Sequence, residues 1–251
     1  MGVRRPLIGV ATAAALWEVI GRSGIVPKYL FPPFTEVVKA LAGAVLDGSL
    51  VAAYLVTLAR VLAGFTLGSV AGVFIGVALY YSRTVRDSIY PLLSFLASTP
   101  VVAMVPLLMV WVGLNEALPV VAVFLCSFTP VVLNTVSGSR GVDPDVVKVA
   151  KTLGASDSRI LLTVVLPLSL PSVLSALKIE AAMVWKTCFV VEMVALSSGL
   201  GYYMILAESA LRVDLMLAAL LVLAASTYAF YTFFEYLEVK LLRKWGYGAR
   251  W

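Results

Sequence analysis

The chain has 251 residues, of which 61% are hydrophobic and 13% charged, and its formal net charge is +5. Soluble globular domains are about 25% charged, so this composition excludes an ordinary water-soluble protein and predicts a protein of the lipid bilayer. Histidine is absent, which removes the commonest general base and metal ligand, and no basic stripe with interleaved aromatic residues indicates a nucleic-acid partner.

Six apolar stretches are predicted to be transmembrane helices, because about 20 residues are needed to cross the hydrocarbon core. They lie at residues 6–20, 58–82, 88–113, 117–139, 166–196 and 214–236. The first is short and contains Glu18, so a cleaved signal peptide is the alternative there. The lack of a small-residue cleavage site favours a retained helix. No linker separates a second domain, so residues 1–251 are predicted to form one all-α polytopic membrane domain.

Residues 21–50 are predicted to be an external connection, because they contain Pro27, Pro32 and Pro33, with a short interfacial helix at 35–46. The second span carries Gly64, Gly68, Gly72 and Gly76 at a spacing of four, which predicts a face for close helix packing. The third span contains Pro91, Pro100 and Pro106, and prolines inside a helix bend its axis. Kinked spans are typical of membrane proteins that move.

The basic residues predict the orientation of these spans, since cytoplasmic loops carry an excess of Lys and Arg. With both termini in the cytoplasm, four basic residues lie outside, namely Arg22, Lys28, Lys39 and Arg212. Twelve lie inside: Arg4, Arg5, Arg83, Arg86, Arg140, Lys148, Lys151, Arg159, Lys240, Arg243, Lys244 and Arg250. The four outside residues are expected to be solvated, with attraction of an anion or of an acidic docking surface as the alternative.

The fifth span holds four ionisable residues, Lys178, Glu180, Lys186 and Glu192. Charges in a bilayer cost at least about 2.5–3.5 kcal/mol each, so they usually face a protein interior or a wet cavity. Glu192 and Lys186, with Pro100 and Pro106, are therefore candidates for lining a translocation pathway. For Glu192 a structural hydrogen bond to another helix is an equal alternative. Lys178 is expected to snorkel, and Glu180 points away from the face that Lys178 and Glu192 share.

Cys126 and Cys188 lie far apart inside apolar runs, which is typical of small buried hydrophobes. No disulfide, metal site or cofactor is predicted from them.

The connection between the fourth and fifth spans is predicted to be two short helices around a glycine turn. Asp143 is a good helix cap and is followed by Pro144 at the favoured first position. Gly154 breaks the first helix, and Ser156 can cap the second before Pro167. The apolar positions at helical spacing are Val146, Val149, Ala150, Leu153, Ile160, Leu161 and Val164. Such a unit fits a partner's groove, with an interfacial pair on lipid headgroups as the alternative.

The residue order in this connection resembles a known motif. Lys148-Val149-Ala150, three residues, Gly154, nine residues and Val164-Val165-Leu166-Pro167 are similar to the EAA motif (Glu-Ala-Ala, three, Gly, nine, Ile-x-Leu-Pro) of binding-protein-dependent ABC importer permeases. Further stretches from about residue 17 to 245 resemble the nitrate/sulfonate/taurine branch: Leu30-Phe31-Pro32-Pro33, Thr57 to Phe65, Thr99-Pro100 to Glu116, Val191-Glu192-Met193 and Gly199-Leu200-Gly201-Tyr202. The departure is Lys148, which stands where the motif has glutamate.

The resemblance implies a MetI-like permease fold in which residues 142–166 form cytoplasmic coupling helices that dock into a separate ABC ATPase. It also implies a homodimer in the inner (cytoplasmic) membrane, in contact with lipid, and an extracytoplasmic solute-binding protein that delivers a small anionic solute. The resemblance does not decide among sulfonate, nitrate, bicarbonate and pyrimidine-like solutes. The residues implied to contact the ATPase are Asp143, Val146, Val149, Ala150, Leu153, Gly154, Ala155, Ser156, Ile160, Leu161 and Pro167.

Two other functions were weighed against this one. An ion-coupled secondary carrier would use Glu192 with Lys186 or Lys178 as a relay, but it predicts internal repeats, and the sequence has no convincing repeat. An intramembrane enzyme is disfavoured because histidine is missing and no nucleophile is paired with a base. The chain also has no Gly-x4-Gly-Lys-Ser/Thr phosphate loop, so we expect ATP hydrolysis by a partner, not by an active site of this chain.

Overall fold

A computed structural model describes residues 4–244, except for the side chains of residues 4–7, Tyr81 and Lys244. The orientation predicted above rests in part on Arg4, Arg5, Lys244 and Arg250, whose side chains lie outside the described part of the chain. The elements of residues 4–244 are all helical. In chain order they are α1 (Arg4–Arg22), α2 (Phe34–Leu46), α3 (Ser49–Tyr81), α4 (Arg83–Ser98), a 3-10 turn (Val101–Met104), α5 (Val105–Val112), α6 (Ala117–Arg140), α7 (Pro144–Thr152), α8 (Asp157–Ile160), a π-helical turn (Leu161–Val165), α9 (Leu166–Ala195), α10 (Leu200–Ser209) and α11 (Val213–Lys244).

Four helical stretches are long and apolar enough to cross a membrane. They are Ser49–Tyr80, Ala117–Arg140, Asp157–Ala195 and Val213–Arg243, and they cover four of the predicted spans. The helix predicted at residues 6–20 exists as α1, but it is not among these four. The chain is therefore a multi-pass α-helical membrane protein, and a count of six spans stays a prediction.

The segment predicted as one span at 88–113 is instead two helical stretches, Arg83–Ser98 and Val101–Val112, which meet at an angle of 88°. The break lies at Thr99 and Pro100, whose ψ angles of 120° and 119° are extended. Proline disfavours helical geometry in the residue before it and donates no hydrogen bond itself, so the helix ends there. Pro91 is accommodated inside α4, and Pro106 lies in the first turn of α5.

Contacts divide the chain into two compact units. The first comprises the chain up to Leu58 together with Glu192–Ala225. In it the indole of Trp17 on α1 packs against Phe34 with the ring centroids 5.5 Å apart and the rings tilted by 59°, and it donates a hydrogen bond to the carbonyl of Pro32. Glu18 accepts a 2.9 Å bond from the backbone N–H of Thr35 in the first turn of α2. The charge inside the first predicted span therefore stabilises the start of the next helix.

The second unit comprises Ala59–Val191 together with the chain from Ser226. In it α3 approaches α6 closely. A Cβ atom added at Gly64 would lie 2.6 Å from the Cβ of Val123, and one at Gly72 would lie 2.9 Å from that of Val131. Gly68 and Gly76 face α6 in the same way, opposite Phe124 and Thr135. This is the close backbone approach that the four-residue glycine spacing predicts.

Candidate functional site

The connection after α6 forms the two short helices that its sequence predicts. The carboxylate of Asp143 accepts a 2.8 Å bond from the N–H of Asp145 at the start of α7. Gly154, with φ of +82°, ends α7, and the N–H of Ala155 donates to the carbonyl of Ala150 at 3.1 Å. This is a Schellman turn, in which a left-handed glycine satisfies the last carbonyls of a helix. Ser156 then caps α8 by accepting from the N–H of Arg159.

The apolar residues of this connection face two ways. Val142, Ile160, Leu161 and Val165 are buried together and pack against partly buried neighbours that include Tyr80 of α3. Val146 and Val149 of α7 and its C-cap residue Leu153 are 43%, 60% and 82% exposed. We call these last three residues the α7 ridge.

Two of the residues predicted to contact the ATPase are buried within the chain itself, and their contact with a partner stays a prediction. Ile160 and Leu161 are 2% and 6% exposed, because they attach the connection to its own chain. Ala150, Ala155 and Pro167 are half-buried, and Asp143 and Ser156 act as helix caps.

The charged residues around the α7 ridge are paired with each other. Lys148 lies 2.8 Å from Asp145, and Lys151 lies 2.9 Å from Asp157. The hydrogen bond to Asp157 raises the pKa of Lys151, so this lysine is protonated at neutral pH. The exposed face of the connection is therefore an apolar ridge flanked by balanced charges.

A cavity of about 290 Å³ lies in the second unit between the end of α4, α6 and α9. Glu180 of α9 lines it and is 7% exposed. The thiol of Cys126 donates to the Glu180 carboxylate at 3.7 Å, and the hydroxyl of Thr187 donates to the Cys126 sulfur at 3.4 Å. The complete lining is Leu96, Ala97, Thr99, Pro100, Val101, Val102, Leu125, Cys126, Thr129, Pro130, Glu180, Met183 and Thr187. One wall is formed by Thr99 and Pro100, at the break in the third predicted span.

Pro100 is the predicted pathway residue that this cavity contains, whereas Lys186 and Pro106 are exposed and do not line it. The sequence pattern does not place Glu180 on the pathway, because the face shared by Lys178 and Glu192 points away from it. A usable signal was present: Glu180, Met183 and Thr187 recur at i, i+3 and i+7, which places them on one helix face.

Glu192 has a different environment, inside the first unit, where it is fully buried. Its carboxylate accepts from the hydroxyl of Thr57, at 2.8 and 2.9 Å, and from the N–H of Gly201 at 3.1 Å. The N–H of Leu200 in turn donates to the Thr57 oxygen at 2.8 Å. Glu192 and Thr57 thus cap the N-terminus of α10, which is the structural alternative left open for Glu192.

Lys178 forms a 2.5 Å ion pair with Glu238 of α11, and the hydroxyl of Ser175 donates to the same carboxylate at 2.6 Å. Lys178 therefore has a specific partner in addition to any snorkelling. Among the described residues, no group of three or more Cys, Asp or Glu side chains is arranged to hold a metal ion.

Comparison with solved structures shows the fold. The chain superposes on a chain of a bacterial ABC transporter involved in the import of the acidic polysaccharide alginate, with a TM-score of 0.68 at 12% identity, over 96% of this chain and 90% of the other. It also superposes on a chain of the MetNI methionine ABC transporter in an inward-facing form, with a TM-score of 0.66 at 19% identity, over 78% and 97% of the two chains.

Sequence relatives and a family match show the same membership. The chain is 30% identical to the aliphatic sulfonates transport permease protein SsuC of Bacillus subtilis, over 97% of this chain and 88% of the relative. It is 29% identical to the taurine transport system permease protein TauC of Escherichia coli, over 88% and 83%. Residues 64–243 match the family described as binding-protein-dependent transport system inner membrane component. The chain therefore belongs to that family, in its nitrate/sulfonate/taurine branch, and is a transmembrane permease subunit of an ATP-binding-cassette importer.

Proposed function

We propose that two copies of this chain form the pathway by which a small sulfonate-type solute enters the cell. An external binding protein delivers the solute. The relatives named for aliphatic sulfonates and for taurine support this solute class. The amino and carboxyl termini lie in the cytoplasm, because this orientation leaves most loop lysines and arginines inside.

The energy for transport comes from separate cytoplasmic ATPase subunits that dock on the α7 ridge. The observation that carries this proposal is the ridge itself: three exposed apolar side chains on a helix whose two ends are both capped. An isolated helix of 9 residues would be marginal in water. Here the caps and the buried base at Ile160 and Leu161 hold the ridge in a fixed position, as a groove-binding element requires.

The same geometry supports a mechanical route by which movement of the ATPases at the α7 ridge reaches the cavity. We call the connection that carries the ridge, residues 142–166, the docking element. Helical structure is continuous from Asp157 to Ala195, so the base of the docking element, at Ile160 and Leu161, and the cavity residue Glu180 lie on one uninterrupted stretch. A rigid displacement of the ridge by closing ATPases therefore moves α9 past α6. Such a movement changes the walls of the cavity, and packed helices switch in this way between discrete arrangements.

The test replaces Leu153 with aspartate in the reconstituted importer. A charge on the ridge must be desolvated in an apolar groove, so we expect Leu153→Asp to lower solute-stimulated ATP hydrolysis at least about tenfold. The matched control is Leu46→Asp, because Leu46 is 87% exposed and lies at the end of α2, outside the docking element. Both variants should insert and purify equally. Full stimulation in the Leu153 variant would contradict docking on the ridge.

A further inference from the structure

The charge of the cavity in the second unit is unusual for an importer of anions. Its ionisable lining residues are Glu180 and Cys126, and none of the thirteen lining residues is basic. Glu180 is 7% exposed, and among the described residues its hydrogen-bond partner is the thiol of Cys126. A thiol is a weak donor, so this carboxylate is buried without the donors that a buried charge normally has.

A carboxylate in this position repels the anionic group of a solute and attracts a cationic group. A sulfonate group placed beside Glu180 would be repelled, and the repulsion is strong where water is excluded. An ammonium group placed there would form a charge-assisted hydrogen bond and would supply the donors that Glu180 lacks. The hydroxyls of Thr99, Thr129 and Thr187 line the same cavity. Each donates within the protein, to the carbonyls of Phe95 and Leu125 and to the sulfur of Cys126, and must turn to donate to a sulfonate oxygen.

We infer that Glu180 is a specificity-determining residue, which selects solutes that carry a protonated amine together with their anionic group over plain organic sulfonates. This inference rests on the proposed function. The volume of about 290 Å³ is at the small end of ligand cavities and suits a molecule of the size of 2-aminoethanesulfonate. The amine end of the solute contacts Glu180, and the sulfonate end contacts the threonine hydroxyls.

The cavity contains its own reporter for a binding experiment. Cys126 lines it, whereas the other cysteine, Cys188, is fully buried. In the full-length Cys188→Ala chain, in membrane vesicles without ATP, the rate of Cys126 modification by a small methanethiosulfonate reagent is measured against increasing taurine or ethanesulfonate. These two probes differ by the amine alone.

We expect taurine to protect Cys126 at a concentration about tenfold lower than ethanesulfonate, since one charge-assisted hydrogen bond corresponds to at least about a tenfold change in affinity. Glu180→Gln should remove this difference, and Glu180→Asp should restore part of it. Glu208→Gln, the same change at an exposed carboxylate of α10, should leave it intact. Equal protection by both probes, or a taurine preference that persists in Glu180→Gln, would overturn the inference.

The proposed function is checked separately by uptake in proteoliposomes that contain the ATPase and the binding protein. Loss of ATP-driven uptake with intact, Glu180-dependent protection would contradict the proposed function and support the role of Glu180. ATP-driven uptake with the same taurine-to-ethanesulfonate ratio in the parent chain and in Glu180→Gln would overturn the role of Glu180 alone.

Discussion

At the scale of residues, several ionisable side chains of the long helices are bound by partners far away in the sequence. The guanidinium of Arg60, 4% exposed, donates to both carboxylate oxygens of Glu116 at 2.6–2.8 Å. Lys178 pairs with Glu238, and Glu192 accepts from Thr57. The sequence predicts that such groups need partners, because an unpaired charge in a bilayer is costly. It does not identify the partner, since these pairs are 56 to 135 residues apart and depend on how the helices pack.

The Thr57 hydroxyl provides a residue-scale prediction. It donates to Glu192 and accepts from the N–H of Leu200, so Thr57→Val leaves two buried polar groups short of a bond. Such losses lower the free energy of unfolding by about 1–3 kcal/mol. In a chain of 251 residues this should lower the midpoint of thermal unfolding in detergent by roughly 2–10 °C. Thr57→Ser keeps the hydroxyl, so its midpoint of thermal unfolding should stay close to that of the parent chain. A Thr57→Val chain as stable as the parent would show that α10 does not depend on this cap.

At the scale of elements, the two short helices between α6 and α9 could be predicted well because their signals are local. Asp143, Pro144, Gly154 and Ser156 each act on backbone groups within a few residues, and the structure has them as caps and turn. Helix α10 could not be predicted in this way, because its N-terminus is stabilised by Thr57, 143 residues away. The third predicted span contains three prolines at which a break was equally possible, and the structure breaks it at Pro100.

The cap of α7 gives a prediction for this element. Asp143→Ala removes the acceptor for the N–H of Asp145, which costs about 1 kcal/mol of local helix stability. Hydrogen exchange of a peptide that covers residues 143–152 should therefore become about fivefold faster. Asp143→Asn retains an acceptor at the cap and should exchange at close to the parent rate. If Asp143→Ala leaves exchange unchanged, the cap does not hold the α7 ridge.

At the scale of the whole molecule, composition and charge distribution predicted a multi-pass membrane protein, and the four long apolar helices agree with that class. The division into two units was not predicted, since α3, α9 and α11 each contribute to both and no linker marks a boundary. The distribution of lysines and arginines predicts that α7 is cytoplasmic, and we expect the ATPase to bind there. Lys148 and Lys151 lie on α7, and Lys28 and Lys39 lie in the first unit, on the side predicted to be external.

These four lysines permit the most direct test of the central claim, that α7 couples this permease to an ATPase. The chain is purified gently from native membranes after treatment with a membrane-permeant amine cross-linker, and the linked peptides are identified by mass spectrometry. We predict links from Lys148 or Lys151 to a subunit with a nucleotide-binding loop, and none from Lys28 or Lys39 to that subunit. Recovery of the chain without any ATPase, or with an ATPase linked through Lys28 or Lys39 instead, would contradict the account.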